Sequence, residues 1–319
     1  MSVKTLFVTG AEGFTGTHLV QYLRRRGYEV VGGVRNRARK LAFERQHGRA
    51  IVCDVSDAIN VARAVAGVKP EGIIHLAGMA APHDAATEPL AAYQSIVTGW
   101  ANLLDAVRRA VPRARVVMAS ACEVYGSAGN DGRPLREDTP LRPVNTFGAL
   151  KATAESIART FFDAYHMNVS IARPFHYTGP GQSDRSFFTA VARRVLGWNP
   201  AAQGDVIEFP DLDCQRELLH VNDVVEAYHH LLEEGRPNEV YNLSSGQSCT
   251  VRQMVEAIIR LARQNLRVTP LANADAPPIR ALCGDNTKIR EQCGWQPTRT
   301  MEDAVRSLVE ALQGQETTA

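Results

Sequence analysis

Hydrophobic positions along the chain follow two periods. Short runs of apolar and β-branched residues predict strands, and apolar residues spaced three and four apart between these runs predict helices. The predicted strands are 3–9, 29–34, 50–53, 72–78, 115–119 and 169–173, and the longest predicted helices are 90–110 and 147–166. Strands that alternate this regularly with helices favour an α/β fold built on a doubly wound parallel sheet of the Rossmann type.

A turn of three glycines separates the first predicted strand from the first predicted helix. Its spacing is Gly10-x-x-Gly13-x-x-Gly16. Gly10 can take the positive φ of a tight turn, Gly13 lets backbone N–H groups approach a pyrophosphate, and Gly16 lets the helix pack close to the strand. Three glycines alone can also form a plain turn. Because a second apolar strand follows the helix, we interpret the segment as a dinucleotide-binding β-α-β unit.

The end of the second strand predicts the choice of cofactor. Folds of this type that use NAD place an acidic residue there, to bind the ribose 2′-hydroxyl. This chain has Arg35 and Arg37 instead, and guanidinium groups bind a 2′-phosphate well. NADP(H) is therefore favoured, with NAD(H) as the alternative; a solvated basic loop is the other interpretation. Further cofactor contacts are predicted at Phe14, Asp54, Val55, Leu76, Ala77 and Gly78.

The pattern changes after residue 174. Residues 174–217 are rich in Pro, Gly and Asp and contain one amphipathic helical pattern. Helices are predicted at 187–196, 224–232, 250–264 and 301–312, and a strand at 239–243. We expect a dinucleotide-binding domain at 1–174, to which 218–245 returns, and a smaller, mostly α-helical substrate domain at 175–319.

Composition excludes several classes of function. A net charge of +2 spread over 319 residues gives no basic face for nucleic acid, and no apolar run is long enough to span a bilayer. The six cysteines form no CxxC pair and no metal-ligand spacing, so we predict reduced thiols, a cytoplasmic location and no metal site. The chain begins with a strand rather than a charged and then apolar leader, which disfavours secretion.

Further motifs together carry a family resemblance. They are Gly10-x-x-Gly13-x-x-Gly16, 75–78 (His-Leu-Ala-Gly), 119–126 (Ala-Ser-Ala-Cys-Glu-Val-Tyr-Gly), Lys151, 173–175 (Arg-Pro-Phe), 179–182 (Gly-Pro-Gly-Gln) and 220–224 (His-Val-Asn-Asp-Val). The chain resembles the extended short-chain dehydrogenase/reductase family in its nucleotide-sugar epimerase, dehydratase and reductase branch. GDP-mannose 4,6-dehydratases and GDP-4-keto-6-deoxymannose reductases are the nearest types. The resemblance implies a nucleotide-diphosphate sugar as substrate and a homodimer formed through a four-helix bundle of 90–110 and 147–166.

The resemblance also implies a catalytic Tyr-x-x-x-Lys pair assisted by a Ser or Thr hydroxyl. Lys151 occupies the lysine position, but Phe147 stands at the tyrosine position and Ala121 at the Ser/Thr position. Neither side chain can carry a proton. Three explanations stay open: natural decay of the site, deliberate removal of both hydroxyls to trap a bound substrate, and a binding-only homologue that senses NADP(H).

Two neighbouring residues match the dehydratases within this family. By resemblance, Glu123 is the base that removes the C5 proton, and Cys122 stands where such enzymes place the acid that protonates the departing C6 hydroxyl. A thiol with a pKa near 8.5 is a weak acid for that task. The other interpretations are an exposed turn carboxylate and an inert small residue. Substrate contacts are further predicted at Ser120, His176, Arg216 and Arg280, of which His176 replaces an Asn of the relatives.

The leading hypothesis is an NADP(H)-dependent nucleotide-sugar 4,6-dehydratase-type enzyme that acts through a 4-keto-hexose intermediate and is present as an inactivated variant. Within enzymes, the alternative is a 4-reductase or 4-epimerase of the same family, which needs no C5 base. From another class, the alternative is a catalytically dead NADP(H)-binding sensor or scaffold.

Overall fold

The computed structural model describes residues 4–272 and 277–316. In this part of the chain the strands are β1 Thr5–Thr9, β2 Glu29–Val34, β3 Ala50–Val52, β4 Gly72–His75, β5 Arg115–Ala119, β6 Val169–Pro174, β7 Tyr177–Thr178, β8 Val206–Phe209, β9 Gln215–Arg216, β10 Leu219–His220, β11 Val240–Leu243, β12 Cys249–Thr250 and β13 Arg267–Pro270. The predicted start of the first strand, Val3, lies outside the described residues.

Seven strands form one parallel sheet in the order β11-β6-β5-β4-β1-β2-β3. Strands β4 and β6 are buried along their whole length, as expected for a parallel sheet covered by helices on both faces. The order reverses between β1 and β4, which places a binding crevice outside the carboxyl ends of these strands. The doubly wound α/β prediction is confirmed, and β11 extends this sheet from a late part of the chain.

The helices in the described part are α1 Phe14–Arg25, α2 Arg37–His47, α3 Ala58–Val68, α4 Pro82–Thr87, α5 Pro89–Tyr93, α6 Gly99–Ala110, α7 Thr146–Tyr165, α8 Phe187–Leu196, α9 Pro200–Gln203, α10 Val221–Glu234, α11 Val251–Leu261, α12 Thr287–Cys293 and α13 Met301–Glu316. Within 4–272 and 277–316, none of them is long and apolar enough to cross a membrane.

Two apolar cores cover the faces of the sheet. One contains side chains of α3, α6 and α7, and the other contains side chains of α1, α10 and α12. A third cluster lies among α8, α11 and α13 and the strand pair β8–β13. The crevice at the carboxyl ends of the sheet strands is therefore supported by separate packed units.

Two helices differ from their sequence prediction. The basic segment after β2 is the start of helix α2: the Asn36 side chain caps it by accepting from the Arg39 N–H at 3.0 Å. The long helix predicted at 90–110 contains a π-helical turn at Gln94–Thr98 between α5 and α6. Such turns insert one residue and re-aim the helix that follows.

Candidate active site

The glycine turn forms a cradle of backbone. Gly10 has φ +68°, and a Cβ on it would lie 2.8 Å from the Ala77 nitrogen. A Cβ on Gly16 would collide with the Gly10 carbonyl. Side chains are thus excluded where the turn passes β4, and the closely spaced N–H groups that result suit a pyrophosphate. These residues fit a dinucleotide.

Helix α1 begins directly after this cradle. Gly13 is the N-cap residue of α1, and no described side chain accepts a capping hydrogen bond there. The first N–H groups of the helix are therefore free for an anion. Phe14 stacks on Tyr177 at 5.9 Å between ring centroids, and the Tyr177 hydroxyl lies 2.7 Å from the Thr15 hydroxyl. Sequence reasoning missed Tyr177, whose contact with the turn joins the β7 segment to the cofactor crevice.

The predicted adenosine contacts surround the carboxyl ends of β2 and β3. Arg35 and Arg37 are exposed. One carboxylate oxygen of Asp54 accepts from the Ser56 N–H at 3.0 Å and from the Ser56 hydroxyl at 2.7 Å. Val55 is 6% exposed and belongs to the core. Leu76, Ala77 and Gly78 line the end of β4 and are half-buried.

Lys151 and the two replaced positions meet at the end of β5. The ammonium of Lys151 donates to the Ala119 carbonyl at 2.7 Å and lies 5.7 Å from the centre of the Phe147 ring. Burial lowers the pKa of Lys151 to about 8. Phe147 is 4% exposed and Ala121 7%, and both lie in the same apolar cluster. The fold thus brings the predicted triad together and surrounds its two missing hydroxyls with apolar groups.

Cys122, Glu123 and His176 also converge. One ligand atom from each lies within 4.8 Å of the others, and the Cys122 thiol is 3.6 Å from a Glu123 oxygen. Burial raises the pKa of Glu123 and raises that of Cys122 well above its ordinary value. Burial, with Arg216 nearby, lowers the pKa of His176 to about 3. Cys122 is therefore a weaker acid than a free thiol, which corrects the expectation of a pKa near 8.5.

The three side chains carry the donor atoms of a metal site, although the cysteine spacing predicted no metal site. The cationic side chains of Lys151 and Arg216 lie close enough to Glu123 to act against the burial that raises its pKa. A divalent cation would be repelled by both. The arrangement suits a polar, anionic substrate better than a metal ion.

Arg216 is held by carbonyl groups beside this cluster. Its guanidinium donates to the carbonyls of Gln215 at 2.8 Å, Ile279 at 2.9 Å and Arg280 at 3.3 Å. Arg280 is exposed, and its N–H donates to the Asn130 side chain at 2.7 Å. The two arginines predicted to bind the diphosphate are thus neighbours in space although 64 residues separate them in sequence.

Ser120 belongs to a buried network that sequence reasoning missed. Its hydroxyl donates to Glu155 at 2.6 Å, and Glu155 is paired with Arg173 at 2.6 Å. Arg173 in turn donates to the Tyr125 hydroxyl at 2.8 Å. All four residues are buried. The hydroxyl proton of Ser120 is therefore used beside a buried ion pair, and its contact with a substrate stays a prediction.

Glu217 is a buried carboxyl that sequence reasoning missed. One of its oxygens accepts from the hydroxyls of Ser244 at 2.8 Å and Ser245 at 3.1 Å and from the Gly246 N–H at 3.1 Å. The other oxygen is buried and has no partner within the described ranges. Burial raises the pKa of Glu217 to about 7. Its place next to Arg216 was the one available signal.

Three comparisons relate this chain to known proteins. A family model described as GDP-mannose 4,6 dehydratase matches residues 7–308. GDP-6-deoxy-D-mannose reductase of Pseudomonas aeruginosa is 28% identical over 95% of both chains. The structure of RMD from Pseudomonas aeruginosa with NADPH superposes with a TM-score of 0.83, at 26% identity over 98% of both chains. MoeE5 in complex with UDP-glucuronic acid and NAD gives 0.83 at 25% identity, over 98% of this chain and 99% of that one.

The family predicted from the motifs is thereby confirmed, and the comparisons agree with NADP(H) as the favoured cofactor and NAD(H) as the alternative. The model match spans nearly the whole chain, including the glycine turn, Lys151 and Arg216. This protein belongs to the GDP-mannose 4,6 dehydratase family of nucleotide-sugar dehydratases, reductases and epimerases, enzymes of the extended short-chain dehydrogenase/reductase type.

Proposed function

We propose that the chain is an NADP(H)-dependent nucleotide-sugar enzyme of the 4,6-dehydratase type, acting through a 4-keto-hexose intermediate and inactivated at Phe147 and Ala121. The observation that carries this proposal is the position of Glu123. Its carboxyl group lies beside Cys122 and His176 and within electrostatic reach of Lys151. A reductase or epimerase needs no base at this place, whereas removal of a C5 proton does.

The side chains divide the work as follows. Bound nicotinamide supplies the hydride acceptor for oxidation at C4. Lys151, whose ammonium group donates to the Ala119 carbonyl, would hold the nicotinamide ribose. Glu123 accepts the C5 proton, which the 4-keto group makes acidic. Its raised pKa makes it a stronger base than a solvated carboxylate. Cys122, fully protonated, is the donor for the departing C6 hydroxyl.

The missing step is the first one. Oxidation at C4 requires that a base take the hydroxyl proton as hydride leaves. Phe147 cannot do so, and Ala121 has no hydroxyl to assist. The diphosphate of the substrate would be bound by Arg216, with Arg280 as the second contact. Of the three explanations, we favour removal of the hydroxyls from an otherwise intact site.

The proposed assembly is a homodimer through α5–α7. Leu90 is 79% exposed, Tyr93 49% and Tyr165 51%, on the helices that a four-helix interface would use. Packing against a symmetry mate would cover these apolar side chains. The cytoplasmic location stays a prediction.

A 4-reductase is the second candidate, because a GDP-6-deoxy-D-mannose reductase matches the chain over 95% of its length. The two candidates differ in their need for Glu123. In a variant with Phe147→Tyr and Ala121→Thr, Glu123→Gln should abolish deuterium exchange at C5 while oxidation at C4 persists. Glu208→Gln, an exposed carboxyl in β8, is the matched control. Unchanged product formation after Glu123→Gln would reject the dehydratase and favour the reductase.

A further inference from the structure

The glycine turn carries one acidic residue, Glu12. Its side chain crosses to the end of β2, where one carboxylate oxygen accepts from the Arg35 N–H at 3.0 Å. A second hydrogen bond joins the turn to the end of β2, because the Ala11 N–H donates to the Gly33 carbonyl at 3.2 Å. Glu12 thus lies between the segment that fits the pyrophosphate and the first residue after β2.

The second oxygen of Glu12 is unused. It is shielded from solvent and has no hydrogen-bond partner among the residues described. A buried carboxylate oxygen without a donor is costly, and native structures rarely leave one. Because an ionised carboxylate only accepts, this oxygen calls for a donor that the described chain does not provide.

Geometry identifies the donor. In dinucleotide folds the ribose 2′-hydroxyl donates to an acidic side chain at the end of β2. The residues that follow β2 here are Arg35, Asn36 and Arg37, with no carboxylate among them. Glu12 reaches the same place from the preceding turn. Its charge also contributes to the raised pKa of Cys53, just after β3, which puts the carboxylate on the adenosine side of the turn.

We propose that Glu12 determines cofactor specificity by supplying the ribose carboxylate from the glycine turn. Its free oxygen accepts from the 2′-hydroxyl of NAD(H), and its charge repels the 2′-phosphate of NADP(H). Arg35 and Arg37 act in the opposite sense, because their guanidinium groups attract that phosphate. The preference for NADP(H) is therefore a balance between two opposed groups, and the chain retains substantial affinity for NAD(H).

A structural role for Glu12 makes a different prediction. If the carboxylate only fixes the turn by accepting from the Arg35 N–H, its loss weakens both cofactors equally. Glu12→Gln separates the two roles, because the amide oxygen can still accept from that N–H while the charge is gone. The proposal concerns the cofactor site alone, so its failure would leave the proposed sugar reaction untouched.

The test measures the binding of NADPH and of NADH to the full chain, with no sugar present. The readout is the change in cofactor fluorescence. Glu12→Gln should raise the ratio of the NADH to the NADPH dissociation constant at least about tenfold. Arg35→Ala should lower the same ratio by a similar factor. Glu71→Gln changes an exposed residue directly before β4, at the amino ends of the sheet strands; it is the matched control and should leave the ratio unchanged.

Glu12→Ala, which removes both oxygens, checks the direction independently of the amide, and thermal melts confirm that each variant folds. A ratio that rises in both variants supports the proposal. A ratio that stays constant while both dissociation constants increase would show that Glu12 only holds the turn. A ratio that falls would overturn the proposal outright.

Discussion

The cofactor half of the crevice and its reaction half differ in how their charges are arranged. The cofactor half, formed by the glycine turn and the ends of β2–β4, offers backbone N–H groups and the exposed cations Arg35 and Arg37. The reaction half, formed by 119–123, 147–151, 176 and 216–217, contains Glu123, Glu217 and Cys122, whose pKa values burial raises.

This difference shows which half carries the cost of function. Apart from Glu12, the charged side chains that the cofactor half would present to a dinucleotide, Arg35 and Arg37, are exposed to solvent, so keeping them costs the folded chain little. Buried acids lower the stability of the folded chain and are retained where chemistry needs a shifted pKa. The reaction half therefore still has the electrostatics of an enzyme, although Phe147 and Ala121 have no proton to transfer.

The largest expected effect comes from restoring the hydroxyls. Phe147 and Ala121 sit in an apolar cluster beside Lys151, so a tyrosine at 147 would place its hydroxyl near the ammonium that lowers a phenol pKa. A positioned acid–base group contributes roughly 10²–10⁴-fold. Phe147→Tyr should give oxidation of a nucleotide sugar, measured as nicotinamide absorbance, and Ala121→Ser should act with it as a unit rather than multiply the gain.

Phe161→Tyr adds a hydroxyl elsewhere on α7 and is the matched control, which should leave the chain inactive. Activity in neither the single nor the double reversion would show that the site decayed naturally or uses another base. The account of an otherwise intact site would then fail.

A smaller effect concerns stability in the reaction half. The fold raises the pKa of Glu217 from 4.5 to about 7, so between these values the folded chain holds more protons than the unfolded one. The free energy of unfolding contributed by Glu217 should therefore fall by about 3 kcal/mol as pH rises through this window. Glu217→Gln keeps an oxygen for Ser244, Ser245 and Gly246 and should lose this dependence.

Denaturant unfolding of both proteins from pH 4.5 to pH 7.5 measures the difference. His176 contributes with the opposite sign, since its lowered pKa makes stability rise with pH, but it does so in both proteins. If the free energies of unfolding of the two proteins changed in parallel with pH, the pKa of Glu217 would not be raised by the fold.

The smallest of these effects is a loss of affinity for the substrate without a loss of affinity for the cofactor. Arg216→Ala removes a guanidinium from the reaction half, and hydrogen bonds to a charged group contribute about 1.5–3 kcal/mol. We expect nucleotide-sugar affinity to fall by at least about tenfold while NADPH affinity is unchanged, both measured by calorimetry. Arg260→Ala, an exposed arginine paired with Glu302, is the control. Loss of NADPH binding instead would place Arg216 in the cofactor half.

The sequence predicts the cofactor half far better than the reaction half, because the glycine turn and the strands around it are local patterns. The bounds of β2 agree with the prediction to the residue, and β3 ends one residue before its predicted end. Helix α2 was missed because only Phe43 of its residues is buried, so it lacks an apolar periodicity. The parallel pair β8–β13 was missed because it joins segments about sixty residues apart.

The residues whose roles were missed, in both halves, depend on contacts that only the fold creates. Glu155 lies in a helix where a carboxylate would be read as solvated, yet it binds Ser120 and Arg173 in the core. Glu12 lies at an intervening position of the glycine motif, and its partner, the Arg35 N–H, belongs to the end of β2. In both cases the partner is distant in the chain, and no periodicity signals it.

Calorimetric binding of a nucleotide sugar separates loss of proton transfer from loss of the substrate site, since we infer that both halves still bind their ligands. The unmodified chain, saturated with NADP⁺ so that a hydride acceptor is present, is titrated with a panel of GDP-, UDP- and dTDP-hexoses. We expect micromolar affinity for at least one of them with no product formed. Tight NADP⁺ binding with no measurable heat from any nucleotide sugar would show that the reaction half does not bind a substrate and would favour a cofactor sensor.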